Sequence, residues 1–177
     1  IKAFIPGRIE RVSGPSGPAV YVDYGHSPDA FLTTMDAVRR FTTGRLIMVF
    51  GADGDRDASK RLDMGRIGSE GSDVLVITDY NPRFEDAAQI RAILLEGATS
   101  AVNPAEIHEV PSQAQAIRVA IGMAREGLQL SGSGRDVSDL SGMPARRPTT
   151  GATAAMRSDN WQASTELMRA PPEWPAE

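Results

Sequence analysis

Apolar residues in this chain come in two alternating patterns: short unbroken runs, and longer stretches spaced three or four apart. Residues 19–22 are a short apolar run. Ala30, Phe31, Met35 and Val38 follow at helical spacing, with Phe41 extending the stripe and Gly44 placed to stop the helix. Leu46-Ile47-Met48-Val49-Phe50 is continuous and of strand length, as expected of a strand buried on both faces. Residues 60–70 can form a helix with Leu62, Met64 and Ile67 available for burial, and residues 74–77 make a third strand. Residues 87–95 read as a helix ended by Gly97, and residues 107–110 as a weaker strand. Ser112 can cap a last helix reaching residue 124, with Ala116, Val119, Ala120 and Met123 inward. Strand and helix in alternation predict an α/β, Rossmann-like fold: a mostly parallel sheet with helices on both faces. From residue 128 the pattern stops. Ser131-Gly132-Ser133-Gly134, Arg146-Arg147-Pro148 and Pro171-Pro172 punctuate a stretch whose scattered apolar residues cannot offset its ordering entropy. Residues 1–127 are therefore expected to be the domain and residues 128–177 an irregular, disordered tail, with a short helix near residues 161–168.

Composition narrows the class. The 177 residues suit one domain with a tail, and 41% apolar content is enough for a core. A net charge of −4 and a pI near 5.3 argue against nucleic acid or a membrane surface as partner, since both leave a basic footprint. Cysteine is absent, which excludes disulfides and thiolate zinc sites. No apolar run approaches the roughly 20 residues that span a bilayer, and no signal peptide is visible. The chain begins at Ile1 rather than Met and reads as a cytoplasmic fragment whose upstream part is missing.

Three polar loops follow the apolar runs, at the sheet edge where open α/β folds bind ligands. Asp23-Tyr24-Gly25-His26-Ser27-Pro28-Asp29 offers a carboxylate for ribose hydroxyls and an imidazole for adenine, or else a capping loop with Ser27 or Asp29 as N-cap. Gly51-Ala52-Asp53-Gly54-Asp55-Arg56-Asp57 could hold a metal through its aspartates, but it lacks the later glutamate of a calcium loop. Arg56 is either paired to those aspartates or aimed at an anion. In Thr78-Asp79-Tyr80-Asn81-Pro82-Arg83, Asn81 offers an amide and Arg83 a planar fork for a carboxylate, with Pro82 fixing the backbone between them. The plainer reading is a strand-to-helix turn in which Arg83 pairs with Glu85 or Asp86. His108 stands alone and reads as structural. No Gly-x-x-x-x-Gly-Lys-Ser/Thr loop is present to cradle a triphosphate.

Taken together, Pro6-Gly7-Arg8 with Glu10, the Asp23 to Ala30 loop, Phe50-Gly51 with Gly54-Asp55-Arg56-Asp57, Lys60-Arg61 and Met64-Gly65, then Asn81-Pro82-Arg83 with Glu85-Asp86, closely resemble the C-terminal domain of the Mur ligases over residues 5–127. The resemblance is nearest to the branch that adds meso-diaminopimelate to UDP-MurNAc-L-Ala-D-Glu in peptidoglycan synthesis. It implies an ATP-dependent ligase that turns the glutamyl γ-carboxylate into an acyl phosphate, which the incoming amine attacks. ATP and Mg²⁺ would be held mainly by a central domain absent here, so this chain alone would be inactive and would carry no catalytic residue or metal ligand. The implied nucleotide contacts are Arg8, Asp23 and His26. The implied diaminopimelate contacts are Arg56 and Tyr80, Asn81, Pro82 and Arg83. An arginine in that last motif marks the diaminopimelate-adding members, because a distal carboxylate wants a guanidinium fork and a distal ammonium is repelled by it.

The chain departs from the pattern at several points. Tyr80 stands where the family has aspartate, Asp53 where it has glycine, Gly25 where it has alanine and Ser27 where it has threonine. After Gly127 the family's last strand and Gly-Lys-Gly-His-Glu loop are not found, as a shifted reading frame would produce. Two alternatives stay open: a folylpolyglutamate- or cyanophycin-type ligase domain, and a non-catalytic α/β binding module with Asp23, Asp55 and Asp79 converging as in a phospho-receiver.

Overall fold

The computed structural model describes residues 7–14, 17–130 and 152–156. In chain order the elements are β1 (Glu10–Arg11), β2 (Ala19–Asp23), α1 (Pro28–Arg39), β3 (Leu46–Phe50), a 3₁₀ turn (Ala58–Lys60), α2 (Arg61–Gly71), β4 (Val74–Ile77), α3 (Ala87–Thr99), β5 (Glu106–Glu109), α4 (Gln113–Leu130) and β6 (Ala152–Met156). They build one six-stranded sheet in the order β1-β2-β6-β3-β4-β5, with β1 antiparallel to β2 and every other pairing parallel. The α/β, Rossmann-like reading holds, with helices on both faces.

The unbroken apolar runs become the middle of that sheet because both faces are covered. Leu46, Met48, Phe50, Leu75 and Ile77 point to a core filled by Phe31 and Met35 of α1, Met64 and Ile67 of α2, and Ile90 and Leu94 of α3. The alternate residues Ile47, Val49, Val74 and Val76 face α4, which meets them with Ala116, Ala120 and Ala124. Alanines at i, i+4, i+8 make a smooth stripe that lets a helix lie close on the sheet. Val119 is exposed instead of inward, and Leu62 and Phe41 are exposed as well.

Two expected helix stops are corrected. α1 ends at Arg39, before Gly44 is reached, and α3 runs through Gly97 to Thr99. A Cβ at Gly97 would lie 2.1 Å from the Leu62 carbonyl oxygen, and one at Gly65 would lie 2.1 Å from that of Leu94. The two glycines are the crossing point of α2 and α3, where the backbones touch. Ser27 caps α1 as read, its hydroxyl accepting from the Ala30 N–H at 3.3 Å.

The tail is corrected too. Ala152–Met156 is a strand, inserted between β2 and β3 and bonded in parallel register to both. The run Ala-Thr-Ala-Ala-Met has no bulky apolar alternation, so neither period nor propensity announces it. The expected short helix at residues 161–168 lies outside the described residues.

Candidate functional site

The carboxyl ends of β2, β3 and β4 deliver three loops to one edge of the sheet, and the loops enclose a cavity of about 470 Å³. The first loop contributes Tyr24 and His26, the second Asp53, Arg56, Asp57 and Lys60, and the third Tyr80 and Arg83. Arg61, at the start of α2, closes the floor.

Arg61 fixes two of these loops to each other. Its side chain is only 2% exposed. Nη1 donates to Glu85 Oε2 at 2.7 Å and Nη2 to Glu85 Oε1 at 2.8 Å, a bidentate ion pair, while Nη2 also donates to the Asp53 carbonyl at 2.9 Å. Glu85 Oε1 accepts from the Asp55 N–H as well, at 2.6 Å. The Arg61 hydrogen bonds and then the Asp55 N–H hold the Glu85 carboxyl down at about 2, and Glu85 raises Arg61 in return. The backbones meet directly: the Gly54 N–H donates to the Asn81 carbonyl at 2.8 Å, and the Phe84 N–H to Asp55 Oδ2 at 3.2 Å. Only glycine fits at 54, because a Cβ there would fall 1.8 Å from the Pro82 carbonyl oxygen. Asp55 and Arg83, on either side of this seam, both sit at φ 51°.

The first loop is held separately. Asp23 Oδ2 accepts from the Ile9 N–H at 2.9 Å and Oδ1 from the Gly25 N–H at 2.8 Å. His26 Nδ1 lies 3.2 Å from the Tyr24 carbonyl oxygen. A carbonyl only accepts, so Nδ1 carries a proton in this contact, and in the neutral ring Nε2 is the acceptor.

Residues 7–134 match the family described as Mur ligase, glutamate ligase domain. The chain belongs to that family. It is 58% identical over 127 residues to a UDP-N-acetylmuramyl-tripeptide synthetase of Leifsonia xyli subsp. xyli, an alignment covering 72% of this chain and 25% of that protein. It is 46% identical over 137 residues to the UDP-N-acetylmuramoyl-L-alanyl-D-glutamate–2,6-diaminopimelate ligase of Caulobacter vibrioides, covering 76% of this chain and 27% of that one. The chain thus spans about a quarter of the length of the curated relatives it matches. Among solved structures, a UDP-N-acetylmuramoyl-L-alanyl-D-glutamate–2,6-diaminopimelate ligase superposes with a TM-score of 0.62 at 24% identity, covering 86% of this chain and 26% of that one. A Mycobacterium tuberculosis folylpolyglutamate synthase superposes with a TM-score of 0.64 at 19% identity, covering 97% and 34%. At these identities the two structures speak for the fold alone.

In this Mur ligase domain, four of the residues singled out from sequence share the cavity: His26, Arg56, Tyr80 and Arg83. The other four lie off it. Asp23 is buried, and both its oxygens serve backbone N–H groups, so its carboxylate shapes the loop. Arg8 is exposed on a turn in which the Gly7 N–H donates to Glu10 Oε2 at 2.9 Å, and the Gly7 carbonyl accepts from the Tyr24 N–H at 2.8 Å. Asn81 and Pro82 act through their carbonyls, which accept from Gly54 and Glu85 N–H groups. Arg83 makes no ion pair with Glu85 or Asp86: Arg61 takes Glu85, and Asp86 caps α3 by accepting from the Ala88 N–H at 2.8 Å. Neither Arg56 nor Arg83 forms an ion pair with a described residue. The receiver-like alternative fails on geometry, because Asp23 serves Ile9 and Gly25, Asp55 serves Phe84, and Asp79 pairs with Arg91 of α3. Among the described residues no three histidine or acidic side chains gather as a metal site. Sequence reading quoted Arg61 only within a motif and missed its clamp. No local signal joins it to Glu85, 24 residues away.

Proposed function

We propose that this chain is the amino-acid- and nucleotide-contacting domain of an ATP-dependent amide-bond ligase that adds meso-diaminopimelate to UDP-MurNAc-L-Ala-D-Glu, and that it works in the cytoplasm. The observation that carries this is the pair Arg56 and Arg83, two guanidiniums on one cavity that form no ion pair with a described residue, beside a third arginine that is neutralised by Glu85. Two planar forks lining one cavity suit a ligand with two carboxylates. The names of the similar proteins agree, one specifying 2,6-diaminopimelate. Glutamate has two carboxylates as well, so the pair does not separate it from diaminopimelate; the folylpolyglutamate alternative is disfavoured instead by the similar proteins at 58% and 46% identity, both of which carry muramyl-peptide ligase names.

ATP fits in part. His26 presents an acceptor Nε2 suited to the exocyclic amine of adenine, and Tyr24 adds an aromatic ring beside it. Asp23 positions that loop, and Arg8 stands free on the neighbouring turn for phosphate. The described residues supply no Mg²⁺ set, and no step here runs through one. When bound in the whole ligase, ATP supplies the phosphoryl group that makes the glutamyl carboxylate open to amine attack. This chain's part is to bind diaminopimelate by its carboxylates and hold one amine at the reaction centre.

Arg83→Ala in the full-length ligase carrying this domain tests the reading. Losing one charge-assisted fork, about 1.5–3 kcal/mol, should raise the KM for diaminopimelate by one to two orders of magnitude and leave that for ATP almost unmoved. An unchanged diaminopimelate KM removes Arg83 from the site.

A further inference from the structure

The charges around the cavity can be resolved one by one. Arg61 is cancelled by Glu85. Asp57 is a cap: Oδ1 accepts from the Ser59 N–H at 3.0 Å and the Ser59 hydroxyl at 2.6 Å, and Lys60 stands next to it. Tyr80 offers only a phenol. Asp57 and Lys60 are neighbouring opposite charges that balance in the sum without forming a salt bridge, and what remains is Arg56, Arg83 and one carboxylate, Asp53. Its side chain has no hydrogen bond or ion pair with a described residue, although it lines the cavity. Its backbone is fixed, because Arg61 Nη2 holds its carbonyl at 2.9 Å and the next residue, Gly54, is bonded across the seam. The carboxylate therefore leaves a rigid point on the same wall as Arg56.

Resting on the reading above, we propose that Asp53 accepts the distal ammonium of the incoming amino acid and is a specificity-determining residue of this site. Two guanidiniums and one carboxylate complement two carboxylates and one ammonium. Diaminopimelate has that charge pattern at the moment of reaction, when the attacking amine has given up its proton and the other amine has not. An ammonium held against a carboxylate stays protonated and so cannot act as a nucleophile. Asp53 would thus choose ligands with a second amino group and keep that group out of the chemistry. A lysine-like ligand would satisfy Asp53 but leave a guanidinium unanswered, and 2-aminopimelate would satisfy both guanidiniums but leave Asp53 unanswered.

The test is steady-state kinetics of the full-length ligase with diaminopimelate and with 2-aminopimelate, for the parent, Asp53→Asn and Asp53→Glu. Asp53→Asn should raise the diaminopimelate KM roughly tenfold or more and shift that for 2-aminopimelate far less, so that the parent's preference collapses. Asp53→Glu keeps the charge and should keep most of the preference. Equal effects on the two substrates, or none on either, overturn the role of Asp53 while leaving the ligase reading standing. A parent that consumes neither substrate overturns that reading and this inference with it. A thermal melt of each variant checks folding, which the unbonded Asp53 side chain should not disturb.

Discussion

Replacing Arg61 by methionine should reveal how much of the site's rigidity rests on one ion pair. Methionine keeps the unbranched bulk and removes three hydrogen bonds, two to Glu85 and one to the Asp53 carbonyl. Charge-assisted bonds contribute about 1.5–3 kcal/mol each in net terms, but simple addition overshoots, because burying the guanidinium already costs several kcal/mol of hydration. Glu85 is 35% exposed, so water can reach the carboxylate left behind. The net loss should be about 2–3 kcal/mol, near the low end for breaking a buried pair. In a chain of 177 residues that lowers Tm by roughly 4–12 °C. Glu85→Ala should be the worse change, since it strands a 2%-exposed guanidinium with no counter-charge. The double variant should cost clearly less than the sum of the two. Urea and thermal unfolding of this chain, run as a double-mutant cycle, measure the coupling. A coupling below about 0.5 kcal/mol would show that the two loops are held by their backbone contacts alone and would refute the clamp.

Acid should weaken the same pair in a defined window. The Glu85 carboxyl is pulled from an ordinary 4.5 to about 2, so its contribution is complete above the unfolded value and is lost as pH falls through about 2; the Tm gap between wild type and Glu85→Gln should narrow below pH 4.5 and close towards 2, and a gap constant over that range would contradict it. Arg83→Gly should be more stable than Arg83→Ala by about 1 kcal/mol and so melt higher, because at φ 51° only the alanine keeps a strained Cβ; equal Tm values would count against strain at this position. Truncation after residue 130 removes β6 and leaves β2 and β3 without the partner each pairs with; the cooperative melt should broaden or vanish, and a melt matching that of the whole chain would deny β6 its place.

The elements and the loops between them were legible because burial on two faces leaves unbroken apolar runs, whereas a strand with one face in water would alternate apolar with polar residues. The misses have physical causes. Gly44 and Gly97 look alike in sequence, yet Gly97 lies inside the last turn of α3, where the close approach of α2 leaves no room for a Cβ. Asp23 looked free, although an aspartate two residues before a glycine could have been read as an Asx turn, which it forms with the Gly25 N–H. The clamp was illegible: an arginine at a helix start and a glutamate after the next strand meet only once the sheet has set β3 beside β4. β6 was illegible because its neighbours, not its own side chains, make it a strand.

Magnitudes place the clamp in folding rather than in ligand binding. Fixing a residue's backbone costs about 1–2 kcal/mol, so ordering even about three residues of the 80–85 loop when ligand arrives would consume about 3–6 kcal/mol. A single carboxylate contact from Arg83 returns about 1.5–3 kcal/mol, less than that cost. A loop ordered only by its ligand would therefore bind diaminopimelate no better than Arg83→Ala binds it. Arg61, Glu85 and the Gly54–Asn81 bond tie the two loops together through the protein's own groups, and Asp55 and Arg83 sit at φ 51° at a cost of about 1–3 kcal/mol each. Folding of the core offsets that cost, which leaves Arg56, Arg83 and Asp53 available for the proposed choice of amino acid. If so, weakening the clamp should raise the diaminopimelate KM even though neither clamp residue is assigned a contact with it. Arg61→Met in the full-length ligase, assayed well below its melting temperature, should show that rise with the ATP KM little changed. An unaltered diaminopimelate KM would mean that Arg83 and Asp53 find their places only as ligand binds.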